Sequence, residues 1–513
     1  MNTISRKIET VFPDCSSMNN PDFESLFDGY NLPPYVKDVI IRGFRLSNNE
    51  VNKEGLKDFL FRAIPRDMTQ LRARLMSEKS IHVLVRFIIN SDLKTGKVKV
   101  NIPDAGMNDG VFVDDVLLAH EDFRKDLSEG EHWGELTLQY IRPQEDNKTG
   151  SVLMTNYKAF KPYKVYKDIY RNRIANFDME DRLDFLLADM KYNPDFFKSK
   201  EEKMAVIKRL LVLVEPNLNI IELGPKGTGK SHIMNNVSQH ISKIDNGSSS
   251  RAQLFYNIKT GMYGPIVKSD AVCIDEANNY DSKSNRELQS SLKNYLEAGK
   301  VTVAGQIITS ECSLALAGNI EMGQNGLPRS RKIYKALPKF FQDSALMDRF
   351  HGFIEGWKVP RLTVGCQITG TSLDAEFFDA LLHELRFEPV YKAMVKDIIT
   401  FGEDADMRDV KAVYKLTTAF MKLLLPDIIS KEQIWENPDI LQQINDYCLQ
   451  PAIKMRSLIR IQCSLKDEEY SSQMPDIWLE LNEGERQLVC GKETDPSRLL
   501  PAQSAVIGVC TPS

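Results

Sequence analysis

The segment Ile220-Ile-Glu-Leu-Gly-Pro-Lys-Gly-Thr-Gly-Lys-Ser231 has the most specific pattern in this chain. An apolar run leads into Gly224, four residues follow, and Gly229-Lys230-Ser231 completes the spacing. This spacing is typical of a phosphate-binding loop (P-loop) between a buried strand and a helix, which we predict over residues 232–244. Glycine lets backbone N–H groups turn toward phosphate oxygens, and the start of a helix favours negative charge. The segment therefore predicts a nucleoside-triphosphate site.

Each residue type in this loop has a physical role in binding a phosphate chain. We expect Lys230 to neutralise the β and γ phosphates, and Ser231 to offer its hydroxyl to Mg²⁺, which prefers oxygen ligands. An ordinary glycine-rich turn is the alternative interpretation. ATP and Mg²⁺ are the cofactors that the pattern predicts. The predicted nucleotide-binding residues are Gly224, Pro225, Lys226, Gly227, Thr228, Gly229, Lys230, Ser231 and His232.

A second candidate motif is Ala271-Val-Cys-Ile-Asp275-Glu276. Its four apolar residues predict a buried parallel strand, at whose carboxyl end Asp275 would join Ser231 in holding Mg²⁺. Glu276 would then polarise the attacking water as a general base, which favours hydrolysis over binding alone. The alternative is an acidic pair that ends a strand at the surface.

A polar residue also ends the apolar run Ser313-Leu-Ala-Leu-Ala-Gly-Asn319. If this run is the strand beside the Asp275 strand, Asn319 can orient the attacking water. A strand-capping Asn beside a turn glycine is the alternative. Residues 285–298 have a helical pattern, and residues 300–309 alternate like a two-stranded hairpin around Gly305.

Composition limits the class of protein. At 513 residues the chain is too long for one core, so we expect two or three domains. The formal net charge of −5 creates no global basic field, and the eight cysteines have no metal-binding spacing. The longest apolar run, residues 210–214, is too short to span a bilayer, and the first residues do not resemble a secretory signal. We expect a cytoplasmic protein without membrane contact.

The order of elements predicts an α/β fold. It combines a P-loop core, whose parallel sheet is flanked by helices, with an N-terminal helical part followed by a small β domain. An all-α lid after the core is implied only by the resemblance to a known family described below. About five short strands with one intervening helical segment predict that this β domain is a barrel of the OB type. The predicted domains are an N-terminal helical subdomain (1–80), an OB-like β domain (81–175), a helical linker (176–204), the P-loop ATPase core (205–365), an α-helical lid (366–466) and a short C-terminal tail (467–513).

The order of the motifs resembles that of a known family. The P-loop, Cys273-Ile-Asp-Glu276, the hairpin, Gly318-Asn319 and Leu346-Met-Asp-Arg-Phe350 are together similar to an AAA+ ATPase of the branch that contains the MCM replicative helicases. Closer still, residues 33–461 resemble the BrxL family, the Lon-related proteins of bacterial BREX phage-defence systems. The resemblance implies a homo-oligomeric ring, either a hexamer or a stacked double ring. It also implies action on DNA, expected to be double-stranded, with other BREX components as further partners.

The resemblance assigns roles to two arginines. Arg349 matches the arginine finger, which reaches the γ phosphate of a neighbouring subunit and so makes hydrolysis depend on assembly. Arg408, at the start of a predicted lid helix, matches a second nucleotide sensor. The alternatives are ordinary ion pairs, with Asp348 or another nearby acid for Arg349, and with Asp404 or Asp409 for Arg408.

Three groups of lysines are candidates for nucleic-acid contact. Lys158, Lys161 and Lys164 alternate with aromatic residues, a combination that suits phosphate neutralisation and base stacking. By resemblance, Lys300 of the hairpin and Lys259 and Lys268 of an insertion over residues 251–269 would enter a central channel. The alternative for all of them is a solvated surface.

Three functions remain open at this point, and the least favoured is a nonenzymatic module that only traps ATP, because Glu276 is present. The first is a ring-forming ATPase that encircles DNA or translocates on it during phage defence. The second is a protein-remodelling ATPase, favoured by Met262-Tyr263-Gly264, which resembles a polypeptide-gripping loop. We expect no peptidase activity, because only 43 residues follow Tyr470 and no lysine follows Lys492 to activate Ser504.

Overall fold

The computed structural model describes residues 3–19, 23, 25–30, 32–44, 51–65, 68–92, 97–103, 106–119, 130–143, 150–159, 165–232, 237–244, 250–258, 262–275, 286–303, 305–482 and 484–491. The chain forms two compact units. The smaller unit is Asn20–Tyr163, and the larger unit combines Met1–Asn19 with Lys164–Ser513.

The described strands are, in chain order, β1 (Ser16–Asn19), β2 (Ile81–Asp92), β3 (Lys97–Ile102), β4 (Met107–Val113), β5 (Gly130–Ile141), β6 (Ser151–Ala159), β7 (Ile220–Gly224), β8 (Ile241–Ile244), β9 (Tyr256–Asn257), β10 (Met262–Tyr263), β11 (Ala271–Ile274), β12 (Lys300–Val303), β13 (Gln306–Thr309), β14 (Ser313–Asn319), β15 (Gly352–Glu355), β16 (Gly370–Leu373), β17 (Ile399–Phe401), β18 (Ile477–Asn482) and β19 (Glu485–Cys490). The described helices are α1 (Thr3–Val11), α2 (Pro34–Gly43), α3 (Lys53–Ala63), α4 (Met68–Ser77), α5 (Asp115–Ala119), α6 (Lys167–Ile174), α7 (Met179–Asp189), α8 (Lys200–Ile207), α9 (Leu211–Val214), α10 (Arg251–Leu254), α11 (Pro265–Lys268), α12 (Arg286–Ala298), α13 (Ser344–Met347), α14 (Ala375–Arg386), α15 (Val390–Ile398), α16 (Met407–Leu424), α17 (Lys431–Trp435), α18 (Pro438–Gln443) and α19 (Gln450–Lys466), with a π-helical turn over Ile444–Leu449 before α19.

The smaller unit contains a closed barrel with the strand order β2-β3-β4-β6-β5. Only the β4–β6 pair is parallel; the other neighbours are antiparallel. Alternate residues of β2, from Ile81 to Ile89, point into the barrel and are buried there. Leu71 and Leu75 of α4 belong to the same core. The sequence pattern therefore correctly predicts a small five-stranded barrel.

The larger unit is built on a five-stranded parallel sheet with the order β15-β7-β14-β11-β8. The interior strand β7 is buried at every position, as is β11. Continuous burial of short apolar strands requires cover on both faces of the sheet. The core cluster accordingly includes Leu292 of α12 and Leu458 of α19. The sheet and its helices confirm the α/β prediction.

Three element predictions need correction. The described part of residues 232–244 is helical only at His232, and residues 241–244 form β8, which pairs with β11. Isoleucines three residues apart fit one helix face, but here sheet pairing overrides that spacing. The predicted all-α lid contains β16 and β17, which pair with the distant strands β1 and β18. The segment interpreted as a tail contributes the β18–β19 hairpin, while Lys492 and Ser504 lie outside the described residues.

Two further sequence expectations concern thiols and membranes. The seven described cysteines are free thiols, and six of them are buried. They act as small apolar side chains, as their scattered spacing predicts. None of the helices in the described ranges has the length and apolar character needed to cross a membrane.

A histidine–carboxylate cluster joins α14 to the amino-terminal edge of the sheet. His383 Nδ1 lies 2.6 Å from Asp270 Oδ2, and His240 Nε2 lies 3.7 Å from Asp379 Oδ2. The two imidazole rings stack with centroids 4.5 Å apart. Donor atoms of His240, Asp270 and His383 all lie within 4.8 Å of one another, a grouping that the sequence spacing does not reveal. The hydrogen bond to Asp270 raises the pKa of His383.

This cluster predicts a pH-dependent contribution to stability. Because the folded pKa of His383 is raised, its contribution is complete below the ordinary histidine pKa and is lost as pH rises through the folded value. We expect His383→Gln to lower the free energy of unfolding more at about pH 6 than at about pH 9, by roughly 0.5 kcal/mol for a partly exposed pair. Denaturant titrations at the two pH values measure this difference.

His351 provides a control with the opposite sign. Burial lowers its pKa well below the ordinary value. The cost of burying His351 therefore grows as pH falls, and His351→Gln should be less harmful at low pH than at high pH. Equal effects of His383→Gln at both pH values would contradict the assigned pKa shift.

Candidate nucleotide-binding site

The P-loop follows β7 at the carboxyl edge of the sheet, and two of its glycines have a left-handed backbone. The φ angles of Gly227 and Gly229 are 83° and 73°. A Cβ atom on Gly229 would lie 2.4 Å from Leu362 Cδ1 and 2.9 Å from Tyr192 Oη. Glycine is therefore required at position 229 both by the backbone conformation and by the space available.

A buried ion pair supports the loop from inside the protein. Arg209 Nε and Nη2 donate to the two carboxylate oxygens of Glu222, at 2.9 and 2.6 Å. Arg209 Nη2 also donates to the carbonyl oxygen of Thr228 at 3.1 Å. This bidentate pair joins the turn after α8 to the middle of β7 and to the P-loop.

Lys230 lies inside the rim of the loop. Its Nζ donates to the carbonyl oxygens of Gly224 at 3.1 Å and Pro225 at 2.9 Å. Burial lowers the pKa of Lys230, and the negative charge of Glu222 opposes this effect. The ammonium thus lies within the loop that the sequence predicts to bind phosphate.

The two predicted metal ligands are in direct contact. Ser231 Oγ donates to Asp275 Oδ2 at 2.5 Å, and Asp275 is buried at the end of β11. Lys243 Nζ of β8 lies 3.1 Å from the same carboxylate oxygen. A hydroxyl and a carboxylate form the hard oxygen donor set that suits Mg²⁺. Lys243 was not predicted as a residue of this site, because the sequence pattern assigns its segment to a helix.

The sheet also brings Asn319 to this edge. β14 lies between β7 and β11, and Asn319 pairs in register with Gly224. The next residue, Ile320, donates its backbone N–H to the carbonyl of Gly224 at 3.2 Å. Asn319 therefore lies beside the start of the P-loop, next to the Asp275 strand. Glu276 lies outside the described residues.

Arg349 and Arg408 lie close together. Arg349 Nε is 3.2 Å from Glu297 Oε2, and Arg408 Nε is 3.3 Å from the same oxygen. Arg408 Nη1 also donates to Asp348 Oδ2 at 2.8 Å. Both arginines are paired, but Glu297 is a partner that the sequence did not indicate. The alternative partners Asp404 and Asp409 for Arg408 are wrong, because its partners are Asp348 and Glu297.

This arginine cluster lies at the opposite end of the sheet from the P-loop of the same chain. Arg349 precedes β15, whose first residue, Gly352, pairs with Ile220 at the start of β7. The P-loop begins at the other end of β7, after Gly224. Four residue steps along a strand correspond to about 13 Å. The two arginines and the P-loop thus face different sides of the domain.

Comparison with known proteins identifies the family. A model described as "Lon-like protease BrxL-like, ATPase domain" matches residues 152–476, and one described as "BREX system Lon protease-like protein BrxL N-terminal" matches residues 10–140. The chain belongs to the BrxL family. This confirms the resemblance drawn from the motifs.

Two curated relatives have the same printed name, "Lon-like protease BrxL". The protein from Escherichia coli O9:H4 (strain HS) is 24% identical over 419 residues, which cover 80% of this chain and 59% of the relative. The protein from Bacillus cereus (strain H3081.97) is 24% identical over 410 residues, which cover 78% of this chain and 59% of the relative. The chain spans about three-fifths of the length of these BrxL relatives.

The predicted nucleic-acid lysines of this BrxL-family chain are exposed where the structure describes them. Lys158 lies on β6 of the barrel, with Nζ 3.8 Å from Glu135. Lys268 ends α11, and Lys300 begins the β12–β13 hairpin, which forms as predicted. Lys161, Lys164 and Lys259 lie outside the described residues.

The P-loop geometry predicts the effect of one added methyl group. Gly229→Ala places a Cβ in a left-handed residue against Leu362, so we expect nucleotide affinity to fall at least about tenfold. Lys392→Ala is the control, because Lys392 is exposed on α15 and lies outside the P-loop; this variant should bind nucleotide within about twofold of the parent. Titration with a fluorescent ATP analogue measures both, and equal affinities would contradict the P-loop assignment.

Proposed function

We propose that this BrxL-family chain is a Mg²⁺-dependent ATPase that assembles into a ring and acts on DNA in phage defence. The observation that carries the ATPase part is the contact between Ser231 and Asp275 at the carboxyl edge of the sheet, beside a P-loop with the required glycine geometry. A hydroxyl after the P-loop lysine and an acid on a neighbouring strand are the pair that holds Mg²⁺ in P-loop enzymes.

The residues of the site have separate roles in hydrolysis. Lys230 would exchange its carbonyl contacts for the oxygens of the β and γ phosphates, and Ser231 and Asp275 would hold Mg²⁺. When bound, Mg²⁺ neutralises charge that develops on the phosphate oxygens. Asn319 positions the attacking water, and Glu276, by its place after Asp275 in the sequence, accepts a proton from it.

Lys243 has a further role in this proposal. Its ammonium is paired with Asp275, on the oxygen that also accepts from Ser231. It therefore compensates the charge of the buried carboxylate, a role that a bound Mg²⁺ would also supply.

The position of Arg349 and Arg408 supports hydrolysis between subunits. Within one chain they lie at the end of β7 that is remote from the P-loop. In a head-to-tail ring, one subunit presents this end to the P-loop of the next. There, a γ phosphate would replace Glu297 as the anion between the two arginines. We propose a hexamer, or two stacked hexamers, as the closed form.

Several features support DNA as the substrate on which the ring acts. The exposed Lys300 stands on a hairpin whose other strand exposes Ile307, and Lys268 ends a short helix of the neighbouring insertion. The barrel pairs its third strand, β4, in parallel with its fifth, β6, and we assign it to the OB type, which binds nucleic acids in many proteins. Double-stranded DNA and other BREX components are the proposed partners.

A protein substrate is the second candidate, and one observation favours it. Tyr263 is 49% exposed on β10 and is followed by Gly264. An exposed aromatic next to a glycine is suited to gripping an extended polypeptide rather than phosphate. The printed name of the relatives, Lon-like protease, is consistent with an ancestral link to protein substrates.

Steady-state ATP hydrolysis separates the two candidates. The rate is measured with double-stranded DNA, with single-stranded DNA and without DNA, at low and moderate salt, together with DNA binding. Stimulation by DNA, or tight binding that weakens with salt, is the expected result, because lysine–phosphate contacts release counterions. A rate that ignores DNA, with no binding even at low salt, would favour the protein-remodelling function.

The general-base assignment predicts a separation of binding from turnover. Glu276→Gln should leave ATP affinity nearly unchanged and reduce hydrolysis by roughly 10²–10⁴-fold, because the amide cannot accept a proton. Single-turnover hydrolysis and nucleotide binding are measured on the same preparation. Undiminished hydrolysis would show that Glu276 is not the base.

The between-subunit assignment of Arg349 predicts complementation of two inactive variants. Lys230→Ala lacks a working P-loop, and Arg349→Ala lacks the arginine finger. Random mixing of equal amounts restores about a quarter of the interfaces, so ATPase activity should reappear after co-assembly. The control mixes Lys230→Ala with the double variant, in which no interface has both groups. Mixed assemblies that show no recovery would contradict action between subunits.

A further inference from the structure

The larger unit contains a cavity of about 410 Å³ that is separate from the nucleotide site. Its wall combines α8, the turn after β15, the first turns of α19 and the end of β19. The lining includes none of the P-loop residues, nor Asp275 or Asn319. Its size falls within the usual range for sites that bind small molecules.

Lys208 is the unusual residue of this cavity. It is 8% exposed, and within the described ranges no acceptor lies within hydrogen-bond or ion-pair distance of its ammonium. Burial lowers the pKa of Lys208 to about 8, and Glu355 opposes the effect from a greater distance. Because the rest of the side chain is buried, the ammonium without a protein partner can be compensated only from the cavity, by water or by an anion.

The surroundings of Lys208 contain charges of both signs, since Lys200, Lys358 and Lys454 line the cavity together with Glu201 and Asp446. Lys358 and Lys454 share Glu355, with N–O distances of 3.3 and 3.2 Å. Lys358 additionally pairs with Glu201 at 3.3 Å. Both of these lysines have carboxylate partners within the chain, whereas Lys208 has none in the described part.

One part of the wall is apolar, while Gln450, Ser457 and Ser472 add polar groups. Met204, Ile453, Met474 and Val489 contribute side chains to the apolar part. A simple inorganic anion would leave this surface without contacts. The combination of one unpartnered ammonium with this apolar surface selects a ligand that has an acidic group on an apolar body.

We propose that this cavity, named here the Lys208 cavity, binds a small organic anion whose phosphate or carboxylate group contacts Lys208 and whose apolar part packs against Met204 and Ile453. The ligand would hold α8 of the core against α19 and the β18–β19 hairpin. The proposal does not depend on the ATPase assignment.

The cavity is also connected to the P-loop by two short routes. Arg209, the residue after Lys208, donates to the carbonyl of Thr228. Gly356, in the turn that contains Lys358, packs closely on Gly224. A Cβ atom on Gly224 would lie 2.7 Å from the carbonyl carbon of Gly356. An anion in the Lys208 cavity is therefore expected to alter the nucleotide affinity of the P-loop. This effect can be tested separately from the binding of the anion itself.

The first test uses 8-anilinonaphthalene-1-sulfonate, an apolar fluorescent anion, with full-length protein in a Lys230→Ala background that removes the P-loop as a competing site. We expect saturable binding that Lys208→Met weakens at least tenfold. Lys392→Met, an exposed lysine outside the cavity, should leave binding unchanged. Val489→Trp should block binding sterically. Equal binding by the Lys208→Met variant would overturn the proposal, as would absence of binding to the parent.

The second test measures thermal unfolding without added anion. Lys208→Met should raise the unfolding temperature, because it removes an unpartnered buried charge and keeps the volume. The dye should raise the unfolding temperature of the parent and not that of the variant. A lower unfolding temperature for Lys208→Met would assign Lys208 a structural role and overturn the proposal.

Competition distinguishes the acidic group of the ligand. 1-Naphthyl phosphate and 1-naphthoate are compared with uncharged 1-naphthol as competitors of the dye. Displacement by one or both anions, with none by 1-naphthol, is expected and shows which acid is preferred. Equal displacement by 1-naphthol would make Lys208 irrelevant and overturn the proposal.

Discussion

The buried pair of Arg209 and Glu222 is the interaction on which the nucleotide site depends. Glu222 belongs to the interior strand β7 and is buried, so an unpaired carboxylate there would be very unfavourable. Arg209 neutralises this carboxylate with two hydrogen bonds, from Nε and Nη2. Its Nη2 also donates to the carbonyl oxygen of Thr228. The strand, the turn after α8 and the P-loop are therefore fixed relative to one another. Breaking such a pair typically costs 3–5 kcal/mol, because it leaves one buried charge uncompensated.

The parts of the core that have local sequence patterns were predictable from the sequence. The P-loop glycines, β7, β11, β14 and the β12–β13 hairpin have local patterns, and the structure forms them as predicted. Local patterns are sufficient there because a short apolar strand beside glycine has few other conformations. The edge strand β8 was missed, because two isoleucines three residues apart fit a helix equally well and only pairing with β11 decides between them. The strands β16 and β17 were missed for the same reason, since their partners lie far away in sequence.

The supporting residues of the site could not be predicted, because topology alone brings them there. Lys243, Tyr192 and Leu362 come from three separate segments and meet at Asp275 or at Gly229. None of them belongs to a motif of its own. The same holds for Glu297, which ends α12 and becomes the common partner of Arg349 and Arg408. Exposed or half-exposed ion pairs contribute only about 0–1 kcal/mol. Glu297 is therefore a partner that a more highly charged phosphate can displace, whereas the buried Arg456, bound to Asp348 and Asp409, keeps the cluster in place.

Two consecutive residues show how differently one fold treats buried cations. Arg209 has a carboxylate and a carbonyl as partners, so its charge contributes to the structure. Lys208 is buried just before it with no partner in the described part of the chain, so its charge opposes folding. A methionine of similar volume would pack there without this penalty. A chain that retains lysine at this position gives up stability for a charge facing a cavity, and that charge is useful only when an anion enters. Arg209 holds this turn to the carbonyl of Thr228. A ligand beside Lys208 would therefore be linked to the P-loop through the adjacent residue.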